Sequence, residues 1–192
     1  LNASYVVGLT PSLPVVSIIA EPSDLWGAEA GILANPTWRG RDWERVGHVT
    51  LFLNDAAFSA PAGLRVDGSE PMDAPKQSLR VYVRQEYGEP RLAAPLYPDH
   101  TQQSPEVQSY KRLLLQAGTH EQVWSLLRDQ VVTMVAKDLA LPVVEGRFVW
   151  LFINGTSWGL YRLTERVDRF MLEDNYGISG GDVVFEGDAR EG

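Results

Sequence analysis

The stretch from Arg147 to Leu163 restricts the fold more than any other part of the chain. Arg147-Phe-Val-Trp-Leu-Phe-Ile153 and Ser157-Trp-Gly-Leu-Tyr-Arg-Leu163 flank Asn154-Gly155. Asn-Gly supplies the positive φ angles of a type I′ turn, whose twist matches that of paired strands, so this segment predicts a β-hairpin. Asn154-Gly155-Thr156 also matches a glycosylation sequon, as does Asn2-Ala3-Ser4; at Asn154 the turn chemistry is the stronger reading. A lone hairpin is marginal in water and needs further strands or a packed helix. Candidates are plentiful. Val15 to Ala20, bounded by Pro14 and Pro22, reads as a buried strand, and His48 to Asn54, Gly63 to Val66, Lys111 to Ala117 and Asp182 to Glu186 as others. Leu79, Val81 and Val83 alternate with Arg80, Tyr82 and Arg84, the period of a half-buried antiparallel strand.

One long helix is expected from about Glu121 to Leu141. Thr119 is placed to cap it with Gln122 three residues on. Val123, Leu127, Val131, Val135 and Leu139 recur every fourth residue, widened by Trp124 and Met134, and Pro142 ends the pattern. The stripe is expected to pack into the core. Thr164 to Asn175 predicts a short second helix. Residues 21–47 read as a long ordered loop pinned by Trp26, Trp38 and Trp43, with room for a short helix. The fold class is α+β, antiparallel-sheet-rich, with one long helix and a following β-hairpin, and residues 1–192 are treated as a single unit.

Several chemistries are excluded or unsupported. There is no cysteine, so disulfides, thiolate metal sites and cysteine nucleophiles are out; this also fits an exported bacterial protein. No apolar run approaches the roughly 20 residues of a spanning helix, so membrane insertion is not expected. The net charge of −8 argues against nucleic acid or anionic lipid as a general partner. A local phosphate site remains open where Arg65, Lys76, Arg80 and Arg84 cluster in sequence. His48, His100 and His120 lack a second ligand at metal spacing. Ser157 lacks a nucleophile-elbow context, and no phosphate-binding glycine loop of the usual kinds occurs. Trp26, Trp38 and Trp43 also leave carbohydrate binding as a weaker reading. Motifs alone assign no function.

The succession Leu13-Pro-Val-Val-Ser-Ile, Ala62-Gly-Leu-Arg-Val-Asp-Gly, Pro75-Lys-Gln-Ser-Leu-Arg, Lys111-Arg-Leu-Leu-Leu-Gln-Ala-Gly, Leu127-Arg-Asp-Gln and Leu151-Phe-Ile-Asn-Gly-Thr-Ser-Trp-Gly-Leu-Tyr-Arg-Leu-Thr-Glu-Arg-Val-Asp closely resembles the CotH family. These are the spore-coat-protein-H-like atypical kinases. The resemblance runs from about Leu13 to Glu186, and the hairpin followed by Thr164-Glu-Arg-Val-Asp168 is its most specific part. It implies a kinase-like N-terminal lobe that holds ATP with Mg or Mn against a second lobe and passes the γ-phosphate to a protein of unknown identity. Phosphoryl transfer is mostly positioning and neutralisation of phosphate charge. By resemblance, Lys76 contacts the phosphates from the strand that follows a loop containing Gly68 and Ser69.

Arg65 and Arg80 stand beside that loop, either for the same phosphates or as partners for carboxylates. Asp129, ahead of Glu121, is the candidate to orient the lysine from the helix, although a helix N-terminal aspartate also answers the helix dipole. Glu165 is a candidate for the ribose or base, with burial and pairing to Arg166 as the alternative. The chain departs from the family at Asp67, where an acid stands beside the expected phosphates, at Gln77, and at Gln116, where the family carries arginine. The catalytic and metal-binding aspartates are expected downstream, so the resemblance makes this an incomplete domain without its second lobe and assigns no catalytic or metal residue here. It implies an extracellular or cell-surface setting, the spore coat included, and partners among other modules of the same secreted polypeptide. The competing reading is a non-catalytic scaffold module with a kinase-like fold.

Overall fold

The computed structural model describes residues 12–67, 74–97, 108–118, 127–139 and 141–179. In chain order the elements are β1 (Val15–Ala20), α1 (Pro22–Trp26), a 3₁₀ turn (Arg41–Trp43), β2 (Arg45–Leu53), β3 (Ala56–Val66), β4 (Leu79–Tyr82), a 3₁₀ turn (Gln85–Tyr87), β5 (Leu92–Ala93), β6 (Ser109–Tyr110), β7 (Arg112–Gln116), α2 (Arg128–Asp138), β8 (Gly146–Ile153), β9 (Thr156–Glu165) and α3 (Arg169–Tyr176). The chain is thus α+β and rich in strands.

Seven strands close into a barrel in the order β1-β2-β3-β4-β7-β9-β8. Strands that alternate in direction around an odd-numbered ring must leave one pair parallel. Here that pair is β1 and β8, from Val15 beside Trp150 to Ile18 beside Ile153. Residues alternate across the wall. Ile18, Val49, Leu51, Leu64, Val81, Leu113, Leu115, Val149, Leu151 and Leu163 fill the interior and are essentially inaccessible to water. Arg65, Arg80, Arg112 and Arg162 alternate with inward residues and lie on the outer wall. The short β5–β6 ladder brings Leu92, Tyr97 and Tyr110 into the same core.

The expected hairpin is β8–β9, with Asn154 at φ +48° and Gly155 at φ +80°, as a type I′ turn requires. Asn154 has a second role at the parallel seam. Its side-chain oxygen accepts from Ala20 N at 3.0 Å, and its side-chain nitrogen donates to Ala20 O at 2.9 Å. The turn residue therefore supplies the last rung between β8 and β1.

Several expectations change. The helix from Glu121 to Leu141 is described only from its second half, as α2, and Thr119, Glu121, Gln122, Val123 and Trp124 lie outside the described residues. Its apolar stripe is not core: Leu127, Val131, Val135 and Leu139 are each more than half exposed. The face turned toward the barrel is polar instead, with Thr133 3.5 Å from Arg162 Nη2 and Lys137 2.5 Å from Glu145. The second helix begins later than expected, because β9 continues through Glu165. Asp168 caps α3 by accepting from Phe170 N and Met171 N. β3 is longer than the Gly63–Val66 run, and Pro61 falls where β3 has β2 but not β4 beside it, the half-edge position that tolerates a missing donor. The loop 21–47 holds α1 and a 3₁₀ turn, with Trp38 against Trp43 and Trp26 against Trp158. The strand expected at Asp182–Glu186, and His100 and His120, lie outside the described residues.

Candidate functional site

Lys76 stands where the β3–β4 connection returns to the barrel, at the end that also carries the β8–β9 turn. Just beyond that turn the hairpin register slips between Leu151 and Phe152, so Trp158 is an extra residue in β9. This is a bulge, and Gly159 within it sits at φ +85°, a conformation that favours glycine. The bulge turns the Leu160 carbonyl toward Lys76, whose Nζ donates to it at 2.8 Å. The same ammonium lies 4.8 Å from the centroid of the Tyr161 ring. Tyr161 is fixed in turn by donating its hydroxyl to Gln77 O at 3.2 Å. A Cβ on Gly159 would lie 3.9 Å from Nζ, so the lysine runs close along bare backbone there.

Burial holds the Lys76 ammonium below the usual lysine range. A group whose charge is costly where it stands gains from an anion brought beside it, which suits a phosphate. Asp67, the acid that departs from the family pattern, is held by Arg80 on the outer wall, and its backbone N donates to Ser78 O at 2.8 Å. Its negative charge is thus answered locally. Gly68 and Ser69 lie outside the described residues.

The remaining predicted residues do not gather at Lys76. Arg65 is drawn to Glu44, with Nη2 2.6 Å from Oε2. Asp129 is half exposed at the start of α2, 3.9 Å from Arg128. Glu165 lies at the other end of β9, four residues past Tyr161 and about 13 Å along a strand. There it is buried, accepts from Asn175 Nδ2 at 2.8 Å, and has its carboxyl pushed up to about 7 by burial, with the Asn175 hydrogen bond acting the other way. Gln116, where the resemblance implies an arginine, accepts from Arg162 Nη1 at 3.1 Å on the outer wall.

Among the described residues no group of three or more His, Asp or Glu side chains could hold a metal ion. The described residues thus offer no cage for the Mg or Mn that the resemblance implies. Sequence reasoning missed Tyr161 and the Gly159 bulge as parts of this site. Both stand in the hairpin run that carries the family resemblance, and the Trp-Gly pair that interrupts strand alternation after the turn was a local signal for them.

Residues 64–190 match the family model described as CotH kinase protein. The match begins near the end of β3, later than the resemblance read from Leu13, and takes in Lys76, the hairpin and Glu165. No curated protein matches the chain.

Proposed function

Since the chain belongs to the CotH kinase family, we propose that its barrel is the nucleotide-binding portion of a kinase-like domain that transfers the ATP γ-phosphate to a protein. The observation that carries this reading is Lys76: a partly buried ammonium in the β3–β4 connection, held by the Leu160 carbonyl of the bulged strand β9 at one end of the barrel. ATP, when bound, supplies the transferable phosphoryl group. Lys76 binds and orients its phosphates, Tyr161 and the Gly159 bulge hold that lysine in place, and Arg80 keeps Asp67 from repelling them. The Mg or Mn ligands and the catalytic aspartate belong, on this reading, to residues outside the described part. An extracellular or cell-surface setting follows from the family resemblance and is part of the proposal.

The second reading is a non-catalytic interaction module on the same fold. The specific observation in its favour is the exposed apolar face of α2, a surface on which another polypeptide could pack. Calorimetric titration of ATP with Mg²⁺ or Mn²⁺ into the folded chain and its Lys76→Ala variant separates the two. Saturable binding weakened about tenfold or more in the variant supports the nucleotide site. Absence of binding by a folded protein leaves the interaction module.

A further inference from the structure

The outer wall carries a concentration of positive charge that the nucleotide reading does not use. Tyr82 on β4 sits in register with Gly63 on one side and Arg112 on the other, and Arg166 N bonds to Arg112 O one strand further. Four guanidinium groups close over the Tyr82 ring: Arg65 at 4.6 Å, Arg84 at 4.8 Å, Arg112 at 5.6 Å and Arg166 at 5.8 Å from its centroid. They leave the ring only 2% exposed. Arg166 also donates to the Tyr82 hydroxyl at 2.8 Å.

Half of this cluster is neutralised from within. Gly63 has no side chain, and a Cβ there would collide with Glu44. The Glu44 carboxylate occupies that space, accepting from Arg65, Arg84 and the Tyr87 hydroxyl. Burial pushes it up, but the Tyr87 hydrogen bond and the two arginines bring it below the usual carboxylate range. Glu86, 3.9 Å from Arg84, is engaged by Arg41.

The other half is open. Lys111, Arg112 and Arg169 share the Phe170 ring, with charged ends 4.1, 4.9 and 4.8 Å from its centroid. Asp168 answers Arg112 at 2.9 Å and also caps α3. Among the described residues no carboxylate lies within ion-pair distance of Lys111 or Arg169. Lys111, partly exposed, and Arg169, exposed, therefore both stand against one aromatic ring with no described carboxylate to answer them, in a chain whose net charge is −8.

We propose that the Phe170 floor and the cations Lys111, Arg112 and Arg169 form a docking site for a phosphorylated side chain on a polypeptide. Three cations gathered on a single ring concentrate positive charge at one spot, and guanidinium groups match phosphate oxygens in pairs. The patch is small and surrounded by a negatively charged protein, so an extended polyanion would be repelled over most of its length. A single phosphate on a peptide meets only the patch. The proposal does not rest on nucleotide binding at Lys76, which lies on a different surface of the barrel.

The test uses the whole chain, isotope-labelled for NMR, and a short peptide carrying one phosphoserine among otherwise neutral side chains. Amide shifts concentrated at Lys111, Arg112, Phe170 and Arg169, and affinity about tenfold lower for the Lys111→Ala/Arg169→Ala variant, are expected. Lys76→Ala should bind the peptide as the native chain does. Equal binding of the unphosphorylated peptide, unchanged affinity in the double variant, or stronger retention of single-stranded DNA than of the phosphopeptide would overturn the assignment. So would a folded native chain that shows no shifts.

Discussion

The β8–β9 hairpin and helix α2 both announce themselves by periodicity, yet they end in opposite environments. In the hairpin, Val149, Leu151, Tyr161 and Leu163 are sealed in the barrel. In α2, Leu127, Val131, Val135 and Leu139 repeat just as regularly and face outward. A period tells which residues share a face. It does not tell what covers that face. For the hairpin the turn chemistry, the strand alternation and the parallel seam with β1 all demand the same burial. For α2 only the helix itself is determined locally, and its barrel-side contacts are polar.

The largest expected effect falls on the buried side of this contrast. Leu151→Ala should cost about 2–5 kcal/mol in chemical denaturation, because the barrel wall cannot collapse around the void. A cost below about 1 kcal/mol would break the comparison.

Next comes the acid at the far end of β9. Glu165 has its pKa raised from 4.5 to about 7 by burial, and Asp174 and Asp168 add to the shift while Asn175 and Arg91 oppose it. The folded state then holds a proton that the unfolded state releases. The sign follows: unfolding free energy falls as pH rises from about 4.5 to about 7, by about 3 kcal/mol in all. Glu165→Gln should flatten that slope and be the more stable protein at pH 8. A slope unchanged in the variant would contradict the burial of Glu165.

Asn154→Ala loses both the favoured turn and the two bonds to Ala20, for about 2 kcal/mol. Asn154→Gly keeps the turn and loses only the bonds, so the gap between the two variants measures the seam. Smallest is the helix: Val131→Gln and Val135→Gln should each stay within about 0.5 kcal/mol, as exposed substitutions do. A clear loss in either would mean that the α2 face is covered in solution, and the contrast with the hairpin would fail.

Legibility followed the range of the interactions. The hairpin was readable because Asn154-Gly155 fixes its turn and alternation fixes its faces, all within seventeen residues. Most of β3 was not, since Ala56-Ala-Phe-Ser-Ala-Pro-Ala62 lacks β-branched residues and holds a proline, and only pairing with β2 makes it a strand. The β5–β6 ladder was missed because two-residue strands carry no period. Lys76 came from family resemblance. Its contact with Leu160, 84 residues away, is a tertiary fact with no local trace. The cluster around Tyr82 draws on β3, β4, β7 and the segment after β9, and only barrel closure brings those arginines together. The sequence did show Arg65, Lys76, Arg80 and Arg84 as near neighbours, but only Arg65 and Arg84 share a partner, Glu44, while Arg80 goes to Asp67 and Lys76 to Leu160.

The account turns on whether the Lys76 ammonium receives a phosphate, and a pH titration of its side-chain ¹³Cε signal, with and without ATP, reads that directly. In the free chain the midpoint should lie below that of ordinary lysines, because burial disfavours the charge. Saturating ATP should move it up, since a neighbouring anion favours the protonated form. A Lys76 midpoint indifferent to ATP, in a folded chain whose exposed lysines titrate normally, would contradict the nucleotide site.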